Sequence, residues 1–346
     1  MVTAPQEEGF YLLQFRPKIG SNYLLSRSVN FFLRVDKEAT RQIDELPPAP
    51  SGSIMPQENL GGIDNIRIDT AFHGNPVISG NGRFALLDFK KTVAEFKANE
   101  KISVSYSNNI YQVNGMIEKY YLESPPRFAP IQDTILRIDN FERKSYSNNS
   151  SFDSEYRGIL EARRYNNELH IINEVGLEDY LKGTGEIIEQ EPPEKLKAII
   201  IVARTYAVFY MKIAEKFPGA PFHLTDDPET SQKYVGYSAE KRSPNTVKAT
   251  SETAGLVVTY KDKLIKTPYF HSDDGRTRSA EEAWGWKDTP YLVSVPDPYC
   301  GGKTLQGHGV GLSGCGSLGM AQAGKSYEEI IKYYYQGVEI KKMGNL

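Results

Sequence analysis

The sequence LEDYLKGTGEIIEQEPPEKLKAIIIVARTYAVFYMKIAEK, residues 177–216, predicts two helices joined by a glutamate-rich turn. Pro192 and Pro193 suit the first turn of the second helix, because N–H groups there have no partner inside the helix. After them, apolar residues recur every three or four positions, at Leu196, Ile199, Ile200, Ala203, Ala207, Tyr210 and Met211. This periodicity predicts a helix whose apolar side packs into a core. The triplet Phe-Pro-Gly at 217–219 predicts its end.

The segment between the helices, residues 183–194, is called the elbow below, and it carries Glu186, Glu189, Glu191 and Glu194. Negative charge ahead of a helix favours the helix dipole, which accounts for Glu191 and Glu194. Glu186 differs because it lies between two glycines and an apolar Ile-Ile pair. A carboxyl group that is partly desolvated there has a raised pKa, as a general acid needs. Glu186 is therefore a candidate catalytic residue.

Length and composition limit the classes of protein to which this chain could belong. A chain of 346 residues has room for two or three domains, and its 39% hydrophobic and 25% charged residues are typical of a soluble protein. The net charge of −3 gives no electrostatic basis for binding nucleic acid or an anionic membrane. No apolar run approaches the ~20 residues that span a bilayer. The polar start of the chain shows no signal peptide, which leaves the compartment open.

Three regions follow from the order of patterns along the chain. Residues 1–56 contain strand-like segments at 10–15 and 30–35 and a Pro-rich linker, without a functional lead. Residues 57–127 alternate apolar and polar positions between short turns, which predicts a small antiparallel β-rich module. We expect His73 to lie in a surface loop of that module rather than to bind a ligand. Residues 128–346 mix strands and helices, so the chain as a whole is predicted to be α+β.

Two later segments concentrate polar groups and glycines. A predicted hairpin at 255–270 leads into HSDDGRTR, residues 271–278, which is either a site at a strand end or an ordinary polar turn. The segment GHGVGLSGCGSLGMA, residues 307–321, has six glycines in fifteen residues. Glycines are needed where φ is positive or where a ligand approaches the backbone closely. The spacing fits neither a dinucleotide-binding motif nor a phosphate-binding loop.

Cys300 and Cys315 leave three alternatives open. They could form a disulfide, worth about 3 kcal/mol for a loop of this length, or stay free thiols, or make half of a metal site with His308. His308 lies near Ser313 and Cys315 in the sequence, so it could also act as the base for a nucleophile there. No third residue that would orient the histidine is evident.

Three groups of motifs, in order, resemble the SpoIID/LytB family of stage II sporulation protein D and amidase-enhancer proteins. The first is LEDYLKG (177–183) with LKA (196–198) and ARTYA (203–207). The second is YFHSDDGRT (269–277) with EAWG (282–285) and PYLVSV (290–295). The third is GHGVGLS (307–313) with GMA (319–321) and GKSY (324–327). The resemblance covers about 128–340, and the β-rich module fits the usual N-terminal part of the family.

The resemblance implies an α+β SpoIID-like catalytic core that acts on peptidoglycan glycan strands as a lytic transglycosylase. In that reaction one glutamate acts as acid and then as base, and the sugar's own hydroxyl attacks. The motif places this glutamate in the elbow, at Glu186 or, second, at Glu189, although the elbow is about two residues shorter than usual. The implied substrate-binding residues are Tyr206, Gln232, Ser272, Gly275, Arg276, Thr277, His308, Gly309 and Ser313.

Departures from the family pattern refine these expectations. Some members carry a Cys/His zinc site before Gln-x-Tyr, whereas residues 225–234 contain neither residue type, so we predict no metal there and no cofactor. Cys315 replaces a usual motif residue, which favours a bridge to Cys300 in an exported, wall-associated protein. The rival class is a non-catalytic peptidoglycan-binding or amidase-enhancing module that acts with another wall hydrolase. A Cys/His hydrolase would require Cys315 to be a free thiol.

Overall fold

The computed structural model describes residues 65–143 and 153–345, together with the backbone of four strands nearer the N-terminus. The chain divides into two compact units, Met1–Ser53 and Ile54–Leu346. In the first unit, two antiparallel pairs form, β1 with β4 and β2 with β3, over Gly9–Phe15 (β1), Lys18–Ile19 (β2), Asn22–Tyr23 (β3) and Val29–Val35 (β4). The predicted strands at 10–15 and 30–35 are β1 and β4, and the Pro-rich linker lies outside the described residues.

The larger unit begins with two sheets that share one hydrophobic core. Their strands are Ile66–His73 (β5), Val77–Gly80 (β6), Phe84–Asp88 (β7), Lys91–Phe96 (β8), Ile102–Ser107 (β9), Ile110–Asn114 (β10), Lys119–Leu122 (β11), Arg127–Pro130 (β12), Leu136–Ile138 (β13), Glu155–Tyr156 (β14), Ile159–Tyr165 (β15), Glu168–Val175 (β16) and Leu224–Thr225 (β17). One sheet has the order β11-β10-β9-β6-β13-β14 and the other β17-β5-β16-β15-β12-β7-β8. Ile68, Val104 and Phe128 are among the buried residues of the common core.

The strands on either side of residue 127 are interleaved in these sheets. β12 pairs with β7 on one side and with β15 on the other. The predicted boundary at 127 therefore lies inside the larger unit, and the division into modules stays a prediction. The sequence-based expectation for His73 was wrong in one respect, because this residue ends strand β5 rather than lying in a loop.

The C-terminal half supplies the helices and three further strand pairings. The helices are Leu177–Lys182 (α1), Pro193–Lys212 (α2), Tyr237–Arg242 (α3), Pro244–Glu252 (α4), Ala280–Trp284 (α5), Gly314–Gln322 (α6) and Tyr327–Tyr334 (α7), with short 3-10 helices at Pro298–Cys300 and Met343–Asn345. The remaining strands are Leu256–Tyr260 (β18), Lys263–Leu264 (β19), Tyr269–Phe270 (β20), Leu312–Ser313 (β21) and Glu339–Lys342 (β22). The predicted α+β class is confirmed.

Helix α2 joins two hydrophobic cores. Its residues Ile200, Ala203 and Ala207 pack with the two sheets, whereas Ile199 and Val202 pack with β18, α6 and α7. The sequence predicts one apolar side, but α2 is buried all round, as expected of a helix that is apolar on every face. Its N-terminal prolines stand at the cap and first turn as predicted.

The predicted hairpin at 255–270 is shorter than expected. β18 pairs with β19, after which the chain leaves that sheet, and β20 pairs in parallel with β21. The pairing ends at Leu264, and the N–H of Val258, the next residue of β18, donates to Thr205 Oγ1 of α2. The pairing of β20 with β21 requires glycine at position 311, because a Cβ atom there would clash with the Pro268 carbonyl oxygen at 2.0 Å. As a result, Tyr269 and Phe270 lie directly beside the glycine-rich segment. In the described part of the chain, no helix is long and apolar enough to cross a membrane.

Candidate functional site

Glu186 lies half-buried in the elbow between α1 and α2. Its Oε1 atom accepts a hydrogen bond from the backbone N–H of Lys233 at 2.7 Å, and Tyr269 interacts with the same carboxyl group. The elbow is fixed in place by the bridge between Thr184 and Tyr234 and by the Gly185 N–H on the Lys233 carbonyl. Burial raises the pKa of Glu186, and Lys233 and Tyr269 oppose that rise only in part.

A chain of buried hydrogen bonds orients Tyr269 toward Glu186. Tyr180, on α1, donates to Gln232 Oε1 at 3.0 Å, and Gln232 Nε2 donates to the Tyr269 hydroxyl at 2.9 Å. Gln232 is almost fully buried, so these contacts satisfy an amide that would otherwise be costly to desolvate. Gln232, predicted as a substrate-binding residue or a support of the cleft, thus bonds Tyr180 and Tyr269 inside the protein. Tyr269 and Tyr180 were not selected from the sequence, although both lie inside the quoted motifs.

The other glutamates of the elbow are used in structural contacts. Both carboxylate oxygens of Glu189 accept hydrogen bonds at the start of α4, from the backbone N–H groups of Asn245 (2.6 Å) and Thr246 (3.2 Å). Glu191 pairs with Lys195. Glu194 pairs with Lys197 and accepts the Tyr327 N–H at the start of α7. Of the two elbow candidates, Glu186 is the one that faces Tyr269, whereas Glu189 caps a helix.

Aromatic rings and two lysines form a connected group that we call the aromatic cluster, in which Tyr206 is the member linked to Glu186: Tyr206, Tyr210, Trp284, Trp286, Lys216 and Lys266. Tyr206 interacts electrostatically with Glu186 and accepts a hydrogen bond from Lys216 Nζ at 2.6 Å. Lys266 Nζ lies 3.9 Å from the centre of the Trp286 ring. Burial lowers the pKa of Lys266 to about 8, with the nearby Lys216 adding to the effect. A pocket of about 240 Å³, lined in part by Tyr210 and Lys216, adjoins this cluster.

His308 connects the glycine-rich segment to the aromatic cluster. Its ring centre lies 4.8 Å from that of Trp284 and 5.8 Å from that of Phe270. Nδ1 accepts the Val310 N–H at 3.1 Å, and the ring also bonds the backbone of Tyr269. Burial lowers the pKa of His308 to about 4, so the imidazole is neutral near pH 7.

Three predicted substrate contacts are buried and bond within the protein. Ser272 donates to the Thr304 carbonyl at 2.8 Å, Thr277 Oγ1 accepts the Val295 N–H at 2.9 Å, and Ser313 caps α6 by accepting the Gly316 N–H. In the structure these hydroxyls hold together the loops around the glycine-rich segment. They do not face the solvent-filled side of the site.

The other predicted contacts divide between ion pairing and backbone geometry. Arg276 is exposed and forms a two-bond pair with Glu282 at 2.8 and 2.9 Å. Gly275 and Gly309 both have positive φ, and a Cβ atom on Gly309 would lie 2.8 Å from the side chain of Arg278. The Gly309 carbonyl instead accepts the Arg278 N–H at 2.7 Å, which fixes the loop that carries His308.

Cys300 and Cys315 are joined in a disulfide whose Cα atoms lie 4.9 Å apart. The bond ties the start of α6 to the 3-10 helix at Pro298–Cys300 and agrees with the disulfide alternative. Because Cys315 is bridged, it offers no thiolate nucleophile, and the Cys/His hydrolase alternative is excluded. Asp273 lies beside this disulfide, but bridged cysteines do not supply thiolate ligands for a metal.

Removing the disulfide is expected to weaken the fold. For a bridge across 15 residues, loop entropy predicts that Cys300→Ala/Cys315→Ala lowers the free energy of unfolding by about 3 kcal/mol. Urea unfolding of the variant and of the chemically reduced wild type measures this change. The two should agree, and an unchanged midpoint after reduction would contradict the prediction.

One family model and several known proteins are similar to parts of this chain. The family model described as Stage II sporulation protein (SpoIID) matches residues 165–260, a range that contains Glu186 and Gln232. Stage II sporulation protein D of Bacillus subtilis is 24% identical over 261 residues, which cover 49% of this chain and 76% of that protein. An uncharacterized protein of Brachyspira hyodysenteriae is 28% identical over 273 residues, covering 54% of this chain and 72% of that protein. The amidase enhancer of Bacillus subtilis is 34% identical over 122 residues, covering 34% of this chain but 15% of that protein. These matches and the motifs at 177–327 make the chain similar to the SpoIID/LytB family of stage II sporulation protein D and amidase-enhancer proteins.

Proposed function

We propose that this protein is a lytic transglycosylase that cleaves peptidoglycan glycan strands, with Glu186 as its one acid/base group. The observation that carries the proposal is the environment of the Glu186 carboxyl group. It is partly buried, it accepts the Lys233 N–H, and it interacts with Tyr269, whose hydroxyl accepts a hydrogen bond from the buried Gln232. A raised carboxyl pKa is what a general acid needs near neutral pH.

The proposed reaction needs no second carboxylate and no water. Protonated Glu186 donates its proton to the glycosidic oxygen as the bond from that oxygen to the anomeric carbon breaks. The resulting carboxylate then takes the proton of the same sugar's C6 hydroxyl, whose oxygen bonds the anomeric carbon. Glu186 ends protonated, one product carries a new hydroxyl, and the other carries an anhydro ring. This sequence differs from the usual two-carboxylate glycosidase.

The aromatic cluster supports a carbohydrate substrate. The carbon-bound faces of sugar rings are apolar, and exposed aromatic rings offer them a matching surface. Trp284 stays 36% exposed beside His308, so its ring is available for such contact. Lys216 and Lys266 add positive charge on the same side, which suits the carboxylate groups of peptidoglycan.

A non-catalytic module is the second candidate, favoured by the relative named amidase enhancer. In that role the same surface would hold glycan strands for another wall hydrolase, and Glu186 would only support the elbow. Both functions place the protein outside the cytoplasm, where the Cys300–Cys315 disulfide is stable.

The deciding experiment uses purified, peptide-stripped glycan strands. After incubation with the wild-type chain, mass spectrometry should detect fragments with anhydro ends. Strands that are bound in a pull-down but remain uncut would overturn the enzymatic proposal and support the binding module. Fragments with ordinary reducing ends would indicate hydrolysis and would exclude attack by the sugar's own hydroxyl.

Gln232→Leu tests the hydrogen-bond support of Glu186. The change removes the acceptor for Tyr180 and the donor to Tyr269, so Tyr269 is no longer held against the carboxyl group. We expect kcat to fall by about 10²-fold with little change in KM. The Tyr269 hydrogen bond lowers the Glu186 pKa, so its loss should move the alkaline limit of activity to higher pH. Gln112→Leu, which removes an isolated bond to Ser107, is the control and should leave both parameters unchanged.

A further inference from the structure

Three potential metal ligands converge at a place separate from the elbow. They are Asp69 and His73 on β5 and His170 on β16. One ligand atom from each lies within 4.8 Å of the other two. Their strands are neighbours in the seven-stranded sheet, and none of the three takes part in the proposed glycan chemistry.

An irregularity in β5 brings these side chains together. Ile172 pairs with Asp69 and His170 pairs with His73, so a step of two residues along β16 corresponds to a step of four residues along β5. In a regular strand, residues four apart are about 13 Å apart along the chain direction. The bulge shortens that path, and His73 Nε2 comes to 3.8 Å from Asp69 Oδ2. Bulges of this kind often re-aim side chains at functional sites.

The donor atoms are oriented as they would be around a cation. His170 Nδ1 lies 3.0 Å from Asp69 Oδ2, the same oxygen that His73 Nε2 faces. Glu168 Oε2 lies 3.5 Å from the other ring nitrogen of His73. A carboxylate on the far nitrogen of a metal-binding histidine fixes the tautomer that leaves the near nitrogen free to coordinate. Glu168 is placed to perform this role for His73.

The cluster is closed on one side and open on the other. Asp69 and His170 are buried, whereas the side chain of His73 is 43% exposed. His73 and Glu168 line a pocket of about 250 Å³, whereas Asp69 and His170 are not among its lining residues. Two buried ligands and one at the rim leave a coordination position on the pocket side for water or a small ligand. Nearby Asp226 is already engaged by Arg143 and by the Ala71 N–H.

We propose that Asp69, His73 and His170 form a divalent transition-metal site, with Zn²⁺ as the favoured ion. Two imidazole nitrogens and one carboxylate are a common zinc donor set when a fourth position is left open. The ion would bind β5 to β16 across the bulge. This site replaces the sequence-based interpretation of His73 as an ordinary surface residue. It is also distinct from residues 225–234, where no metal is expected.

Zinc titration of the full, tag-free chain tests the proposal. After chelator treatment, calorimetry should show one Zn²⁺ per chain, and zinc should raise the melting temperature. His73→Ala, at the rim, should weaken binding by more than about 100-fold, and Glu168→Gln should weaken it by about 10-fold. His271→Ala, which removes an exposed histidine elsewhere, is the matched control and should bind as the wild type does.

Cobalt(II) provides a second readout that does not depend on stability. A site with two nitrogens and one oxygen should give visible absorption bands in the wild type that are lost in His73→Ala. Zinc affinity unchanged by His73→Ala, or no zinc binding up to millimolar concentrations, would overturn the proposal. Glycan cleavage is not part of this test, so its result is independent of the proposed function.

Discussion

Glu186→Gln should reduce the formation of anhydro-ended glycan fragments by about 10²–10⁴-fold, the range expected when a general acid is lost. Glutamine keeps the shape of the side chain and an oxygen that can accept the Lys233 N–H. It has no acidic proton for the glycosidic oxygen, so binding of glycan strands should persist while cleavage stops. Mass spectrometry of the same strands with wild type and variant measures the change.

The Glu186→Gln variant should be at least as stable as the wild type although its activity is lower. Burial raises the Glu186 pKa in the folded chain above its unfolded value, so stability falls as the pH rises from the unfolded pKa, and the full loss is present above the folded pKa. Glutamine carries no charge and avoids that effect. The melting temperature of Glu186→Gln should therefore equal or exceed that of wild type at neutral pH. The difference should vanish below the ordinary carboxyl pKa, and activity of the wild type should decline as the pH rises through the raised pKa.

Glu189→Ala is the matched control in the same elbow. It removes the carboxylate that accepts two N–H groups at the start of α4, so it should lower the free energy of unfolding by about 1 kcal/mol. Cleavage should continue, because Glu189 caps a helix and faces away from Tyr269. If instead Glu189→Ala abolished cleavage in a folded chain while Glu186→Gln did not, the acid would have been assigned to the wrong glutamate.

The sequence predicted the elements that depend on local patterns. Periodicity located α2, and the prolines located its start. The β-rich character of residues 57–127 was predicted from their alternation, whereas strands of two to four residues such as β6 and β12 are too short to show a period. The buried second side of α2 was missed because a periodic apolar stripe does not reveal whether the opposite face is also covered.

The candidate site was predictable only in part, because its geometry depends on contacts distant in sequence. Glu186 was selected from its apolar neighbours, but the residue that orients it, Tyr269, lies 83 positions further along the chain. Glu189 looks equivalent in the sequence, and only the packing of α4 against the elbow shows that it is a cap. The cluster at His73 depends on a bulge that leaves no clear signal in the sequence of β5.

Glu178→Ala should lower the free energy of unfolding by about 3–5 kcal/mol, the cost of leaving a buried charge without its partner. Arg204, on α2, is completely buried, and its guanidinium group meets Glu178 of α1 through two hydrogen bonds of 2.9 and 2.7 Å. Arg204 also donates to the carbonyl groups of Leu256 and Thr250. These contacts give a physical reason for the motifs LEDY and ARTY, since they link α1, α2, α4 and β18.

Removing Glu178 and removing Arg204 should not cost the same free energy of unfolding. The side chain of Glu178 is 34% exposed, so a glutamate left alone by Arg204→Met regains water, whereas an arginine left alone by Glu178→Ala does not. Arg204→Met should therefore cost less than Glu178→Ala, and the double variant should resemble Arg204→Met. Urea unfolding of the four proteins yields the coupling energy between the two positions.

The pair Arg276–Glu282 is a control with similar geometry and different burial. Its two hydrogen bonds are 2.9 and 2.8 Å long, but both side chains are exposed, at 47% and 43%. Exposed pairs contribute little because water and salt screen them, so Glu282→Ala should leave the unfolding midpoint almost unchanged. Similar losses for Glu178→Ala and Glu282→Ala would contradict burial as the cause. A large loss confined to Glu178→Ala would attribute the cost to the buried Arg204 that this glutamate pairs with.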